Sequence, residues 1–448
     1  DQKTKTKVFD VTVKAKTEVG EMTDYIFAYF IGDGAGQEKI FFASSENGLN
    51  WEELYDGKPV LTSELGTKGL RDPYIFRSAE GDKFYLIATD LQIAAGEGWT
   101  AAQENGSQAI MVWESEDLVN WSDQRMVTVS DKIEAGCTWA PEVFYDDKTG
   151  EYIVFWASKV ASLNYDKQRL YYCKTRDFHS FTEPKKWIDE NHNAIDTTVV
   201  RDDDNTYYRF TKNEDNGAKY VYMEKANSLL GKWTKVNDKQ YKDGNDGVEG
   251  PCCFRFNDDD IANAGAKWCL LLDNFGNGGY FPMTTNDLAN EEFKKITNAK
   301  LPSKSKPRHG TVMNITRDEY NAVMQAYSSI EVIDDKLPDA VLAGSNYQLP
   351  AELKISVFDQ EKTVAVTWEA VAEGAFDQPG TVTVKGTIAE LNNREITHTI
   401  EVVSDKLIYY IDSGVGSWNN DMKDSASFDA IAGLDELELR NEEPDKLY

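Results

Sequence analysis

The sequence predicts an all-β protein: a five-bladed β-propeller with a C-terminal β-sandwich. Three observations carry this. Helical periodicity is scarce, and short runs rich in Tyr, Phe, Val and Ile alternate with Gly, Asp and Asn turns. Two different short patterns each recur five times within residues 1–325. Past about residue 330, Pro-punctuated runs of alternating apolar and polar residues take over.

The first pattern is a strand, a small turn and an aromatic. Ser-Glu-Asn-Gly-Leu-Asn-Trp ends at Trp51 and Ser-Glu-Asp-Leu-Val-Asn-Trp ends at Trp121, with weaker copies ending at Phe181, Trp233 and Phe293. The copies fall 70, 60, 52 and 60 residues apart, about the length of a four-stranded blade. The second pattern opens each blade: Arg71-Asp72-Pro73, Trp139-Ala140-Pro141, Ala194-Ile195-Asp196, Glu249-Gly250-Pro251 and Arg308-His309-Gly310. No opening precedes the copy at Trp51, and no aromatic copy follows the opening at Arg308. Both gaps close if the Arg308 strand pairs with N-terminal strands around Tyr25–Phe30, which leaves no free sheet edge in the ring.

The propeller is therefore expected over 1–325. Residues 326–404, with Thr363–Trp368 and Thr381–Val384 as alternating strands, resemble bacterial immunoglobulin-like sandwiches. Residues 405–448 begin with the strand-like Leu407–Ile411, turn acidic, and read as the start of a further module or an extended tail.

Composition narrows the function. A formal charge of −29, from 77 acidic against 48 basic residues, excludes nucleic acid and anionic membrane as partners, because like charges repel. No apolar run approaches the ~20 residues that span a bilayer. Asp1-Gln2-Lys3-Thr4 lacks an apolar stretch, so a signal peptide is expected outside this numbering, for a protein secreted or held at a bacterial surface. Five Cys without a Cys-x-x-Cys pair, and four His, offer neither a disulfide framework nor a zinc site. Adjacent strand residues Cys252 and Cys253 are expected to point to opposite faces. Aromatics at 12% suit both a packed β-core and platforms for sugar rings.

The innermost strand of a propeller blade aims its first residues at the axial pocket, where chemistry can be done. Three of the five openings carry a carboxyl group there: Asp72, Asp196 and Glu249. Hydrolysis of a glycosidic bond needs one carboxyl that holds its proton and one that has lost it. Asp196 and Glu249 are expected to be neighbours, so that one negative charge raises the other's pKa; Asp72, beside Arg71, is expected to stay ionised. Trp139 is expected to wall the pocket, and Phe275 and Tyr280 to line its rim on the Gly-rich stretch 276–279. Arg308 either bonds sugar hydroxyls or pairs with a blade acid.

The series Arg-Asp-Pro, Trp-Ala-Pro-Glu, Ala-Ile-Asp, Glu-Gly-Pro and Arg-His-Gly, over residues 25–316, resembles glycoside hydrolase family 43. That resemblance implies a five-bladed propeller that inverts anomeric configuration. It makes Asp72 the base that activates water, Asp196 the carboxyl that tunes and orients the acid, and Glu249 the acid that protonates the leaving oxygen. Relatives with this pocket type act on α-L-arabinofuranosides, β-xylosides, arabinan or galactan; the match at His309 favours an exo-acting α-L-arabinofuranosidase on plant cell-wall polysaccharide before a β-xylosidase or an endo-arabinanase, and the protein is expected to be a monomer. No cofactor is required. In arabinan-cleaving relatives a His at the last opening helps hold an axial cation, often calcium, through water; His309 matches that place, and a buried His bonded within the protein accounts for it equally. The sequence departs from many relatives at Glu142, where they carry Asp.

Two related propellers are excluded. The stretch Ser44–Trp51 resembles a sialidase Asp-box, but the openings supply just Arg71 and Arg308 where a sialidase needs an arginine cluster. A fructosidase needs Asn-Asp-Pro-Asn-Gly before Arg-Asp-Pro, which is absent. The competing class is a non-catalytic carbohydrate-binding propeller.

Overall fold

The computed structural model describes residues 16–290 and 292–404, and the backbone of 431–432. The expected further module at 405–448 otherwise lies outside the described residues. The chain forms two compact units, residues 1–327 and 328–448.

Among its described residues the first unit holds five antiparallel four-stranded sheets, the five blades. Blade I runs outward from Leu70–Arg77 through Phe84–Asp90 and Ala109–Ser115 to Arg125–Thr128. Blade II opens on Trp139–Asp146, blade III on Ala194–Arg201 and blade IV on Glu249–Arg255, each followed by its next three strands in sequence order. In blade V the innermost strand is Arg308–Thr316, and Met22–Phe30, Phe41–Ser45 and Glu52–Glu53 complete the sheet. The C-terminal opening thus joins N-terminal strands and closes the ring, as the repeats predict. A helix, Arg317–Tyr327, follows; its Glu319 takes both guanidinium nitrogens of Arg77 from blade I at 2.6 and 2.7 Å.

The recurring turn has a hydrogen-bond cause. Ser45 Oγ accepts the Gly48 N–H and Asn47 Oδ1 accepts those of Leu49 and Asn50. Ser115 with Asp117, and Thr175 with Asp177, repeat the arrangement. Such short side chains satisfy turn donors better than the ladder can. The likeness to an Asp-box is therefore a turn device of the blades.

Between blades the core is aromatic. Tyr25, Phe27, Trp51, Phe254 and Tyr280 pack between blades V and IV, and Tyr85, Tyr152, Trp156 and Phe178 between I and II. Cys252 and Cys253 are free thiols that face two different interblade cores, as their alternation on a strand requires.

The second unit is a two-sheet sandwich. One sheet pairs Ile330–Val332, Glu352–Val357 and Gln360–Ala365; the other runs Thr367–Trp368, Gly380–Ile388, Arg394–Val403, Ala340–Leu342 and Ile431–Ala432. Alternate residues such as Leu353, Ile355 and Val357 are buried between them.

Candidate active site

All five opening strands break register at the same place, the last between Arg308 and Thr311. Pairing with the second strand skips between Arg71 and Tyr74, Trp139 and Glu142, Ile195 and Thr197, and Glu249 and Cys252. In the first four openings the residue at the break has a left-handed backbone: Asp72 at φ 49°, Ala140 at 49°, Asp196 at 47° and Gly250 at 51°. Such bulges re-aim side chains at sheet ends, and strain of this kind gathers at functional sites. Asp72 and Asp196 therefore occupy equivalent bulge positions, which Asp tolerates better than most residues. Glu249 stands one position earlier, where the other openings carry Arg71, Trp139, Ile195 and Arg308.

These residues converge on an axial pocket of about 560 Å³. It is lined by Asp72, Asp196, Glu249, Trp139, Phe275, Arg308 and His309, among others. Tyr280 does not line it, a correction to the expected rim. It lies inside the strand Gly279–Thr285, its hydroxyl donating to the Gly250 carbonyl at 2.6 Å and accepting the Gly310 N–H at 2.9 Å. The Gly-rich loop ends one residue before it.

His309 links the carboxylates. Its Nδ1 is 3.3 Å from Asp72 Oδ1 and 3.8 Å from Asp196 Oδ1. Asp72 Oδ2 accepts a hydrogen bond from Thr89 Oγ1 at 2.8 Å, and Thr89 in turn accepts the Ala140 N–H at 2.8 Å. Asp196 Oδ2 accepts the Gly250 N–H at 3.2 Å. A Cβ on Gly250 would meet His309 side-chain atoms at 2.7 Å, so the close approach of blades IV and V demands glycine there.

Electrostatics separate the acids. Burial pushes Asp72 up, but the His309 hydrogen bond and charge, with Arg71 and Thr89, hold its carboxyl below the usual range. Burial raises Asp196 in spite of His309 and Lys212. Glu249 is the surprise. Burial would raise it, yet the charges of Lys212 and Arg308, which both hydrogen-bond it, hold it well below the usual range. The expected upward shift of Glu249 from Asp196 is thus reversed, because two cations at contact outweigh one nearby carboxylate. Arg308 spans Glu249 and Asp273, with Nε 2.7 Å from Asp273 Oδ2. Arg308 thus pairs with two blade acids, one of its two expected uses.

Arg71 reaches Asp33 and Glu38, at 2.5 and 3.2 Å, and lies over the rings of Phe30 and Trp99. Trp99, on the short helix Trp99–Glu104, meets Trp139 edge-on at 6.0 Å, and the two form an aromatic wall.

Four residues escape sequence reasoning. Lys212, 1% exposed in its side chain, binds Glu249 Oε2 at 2.8 Å and Glu214 at 2.6 Å. Asp273, opposite Glu249 in register, is pushed up to about 7 by burial against the Arg308 charge, and its Oδ1 has no partner among the described residues. Thr89 holds Asp72, and Trp99 extends the wall. A signal existed: second strands of blades I, III and IV end in the polar pairs Thr89-Asp90, Lys212-Asn213 and Asp273-Asn274.

An axial calcium held at His309 through water, as expected, would lie beside a charged ring. Burial lowers the imidazole's pKa, but Asp196 and Asp72, with Glu142, outweigh this and raise it to about 9, so the ring is itself a cation. Among the described residues, no group of three or more His, Cys, Asp or Glu is arranged to hold a metal ion. Glu142 is fully inside the ring; burial, opposed by His309 and Thr198, raises it to about 8.

A family described as a probable glycosyl hydrolase domain matches residues 20–321, and a bacterial Ig-like domain (group 4) matches 333–391. An alpha-L-arabinofuranosidase of Bifidobacterium longum subsp. longum is 32% identical over 463 residues, covering 86% of this chain and 43% of that protein. The chain thus spans less than half the length of that relative. Among solved structures, an endo-1,4-beta-xylanase from Bacteroides thetaiotaomicron is 14% identical, with 64% of this chain and 93% of that one covered, at a TM-score of 0.45. A family 43 beta-1,3-galactosidase is 12% identical, with 84% and 74% covered, also at 0.45. Likenesses this loose add nothing to the strand topology already described.

Proposed function

This chain belongs to the family of probable glycosyl hydrolase domains related to glycoside hydrolase family 43, and on that premise we propose that it is an inverting, exo-acting glycoside hydrolase. Its proposed substrates are terminal α-L-arabinofuranosyl units on arabinan or arabinoxylan side chains of plant cell walls. The observation that supports the reading is convergence: Asp72, Asp196 and Glu249, from the openings of three different blades, line one axial pocket, and His309 and Thr89 hold Asp72 ionised. Enzymes that break glycosidic bonds bring a pair of carboxyl groups to the scissile bond in this manner. The choice of sugar is supported by the Bifidobacterium longum relative, named an alpha-L-arabinofuranosidase.

In this mechanism the terminal sugar sits against the Trp139 and Trp99 wall. Water attacks the anomeric carbon from the face opposite the leaving group and gives its proton to Asp72. Glu249 gives its proton to the leaving oxygen. Sugar hydroxyls accept hydrogen bonds from Lys212 and Arg308; as these cations turn to the sugar, Glu249 loses the charges that keep it ionised and takes up that proton. Asp196, behind the Gly250 amide, orients the strand that carries Glu249. The protein is proposed to act outside the cell.

The test is a hydrolysis screen with nitrophenyl α-L-arabinofuranoside, β-xyloside and β-galactoside, and with arabinan. Preferred cleavage of the arabinofuranoside and release of arabinose from arabinan are expected. Preference for the xyloside moves the substrate to a β-xyloside and leaves the mechanism standing. Arabinan binding without turnover of any glycoside overturns the enzyme reading and leaves a carbohydrate-binding propeller.

A further inference from the structure

A second cavity of about 380 Å³ adjoins the axial pocket. Its walls are Lys219 and the loops 244–247 and 274–277, and it shares Lys219 and Phe275 with the pocket. Phe275 is therefore the partition. The ammonium groups of Lys212 and Lys219 lie 5.1 and 5.7 Å from its ring centre, and a Cβ on Gly247 would stand 3.3 Å from its Cζ. The two loops are tied in one shape: Asn274 Nδ2 donates to Asn245 Oδ1 at 2.9 Å and to the Asn277 carbonyl at 2.6 Å. Three glycines, Gly244, Gly247 and Gly276, with Asp246 and Asn277, line the rest.

We propose that this cavity binds the sugar on the leaving side of the scissile bond, the backbone unit that stays behind when the terminal sugar is cut. The inference rests on the hydrolase reading and follows from where the acid stands. A leaving oxygen must lie within hydrogen-bond reach of the group that protonates it. Glu249 opens blade IV, and Asp72, on the water side, opens blade I, two blades away and as far as a five-membered ring allows. The cavity is built from the connection between blades III and IV and the loop after the second strand of blade IV, on the Glu249 side. A departing chain thus passes Glu249 and Phe275 into it. Amide, carboxylate and bare backbone beside one aromatic face suit a neutral, polyhydroxylated ring.

Gly276→Ile tests this. Gly276 lines the cavity, nothing lies within 4 Å of a Cβ there and its φ is not left-handed, so the fold admits a side chain at the cavity wall. The measurement is kcat/KM for an arabino-oligosaccharide and for α-L-arabinofuranosyl fluoride, whose one-atom leaving group needs no subsite. The ratio of the two should fall about tenfold or more, the worth of one good hydrogen bond or stacking contact. Asn277→Ala should lower the same ratio. If the activity screen selects xylose, the same pair is made with xylosyl donors. An unchanged ratio in both variants overturns the subsite. Failure of the unmodified protein to cleave either substrate overturns the hydrolase reading, and the subsite falls with it.

Discussion

The imidazole of His309 in blade V stands 3.3 Å from the carboxylate of Asp72 in blade I, so the last-opened blade holds the carboxylate of the first. The contact joins a cation to the group that the mechanism needs ionised. Replacing His309 by Gln keeps a hydrogen-bond donor but removes the charge, and the Asp72 pKa should rise. The low-pH limb of kcat/KM should then move to higher pH. A limb that stays in place would detach His309 from the base.

The same contact makes stability depend on pH. His309, facing Asp72, Asp196 and Glu142, has a folded pKa of about 9 against 6.5 when unfolded, a raised value. Its stabilising contribution is therefore present below about pH 6.5 and lost as pH rises through about 9. On the order of 3 kcal/mol is at stake. The gap in unfolding free energy between the native protein and His309→Gln, measured by urea denaturation, should be wide near pH 6 and nearly closed near pH 10. A gap that is constant across this range refutes the charged imidazole.

Lys212 and Arg308 set the acidity of Glu249. Lys212→Met takes away one of the two cations and should raise the Glu249 pKa. Since the high-pH limb of the profile reports the acid, that limb should move to higher pH. Loss of rate without any displacement of the limb would mean that Lys212 serves only to bind substrate.

Chemistry is checked by the two carboxylates themselves. Glu249→Gln and Asp72→Asn should each lower turnover by on the order of 10²–10⁴. For Glu249→Gln the deficit should shrink with the arabinofuranosyl fluoride, whose leaving group needs no proton. Proton NMR of the first product should show the inverted anomer. Retention of configuration would make Asp72 a nucleophile.

Gly250→Ala should be among the most damaging single changes outside the carboxyls. Alanine at φ 51° is strained, and its methyl would overlap His309. A loss of about 1–3 kcal/mol in unfolding free energy is expected from crowding alone. Unaltered stability with full activity would show that blades IV and V can part there freely.

Asp72, Asp196 and Glu249 were legible because a propeller repeats one sheet five times, and a repeat exposes what is not repeated. The Asp residues stand out at positions where blades II and IV need only Ala140 and Gly250. The partners that set their charge were not legible in that way. Lys212 lies 37 residues before Glu249 and Arg308 59 after it, and which residue of a second strand reaches the pocket depends on a register that a bulge resets. The Glu249 pKa was misjudged for that reason. Tyr280 was misplaced because Gly279 reads as loop but begins a strand.

Ring closure by Arg308–Thr316 also orders the making of the protein in time. A ribosome delivers Asp72, Asp196 and Glu249 long before it delivers Arg308 and His309, which hold Glu249 and Asp72. Until then Met22–Phe30 has no inner neighbour, and an apolar edge is open to other chains. The nascent propeller is thus chemically unfinished for as long as it is structurally open, and the same strand ends both conditions.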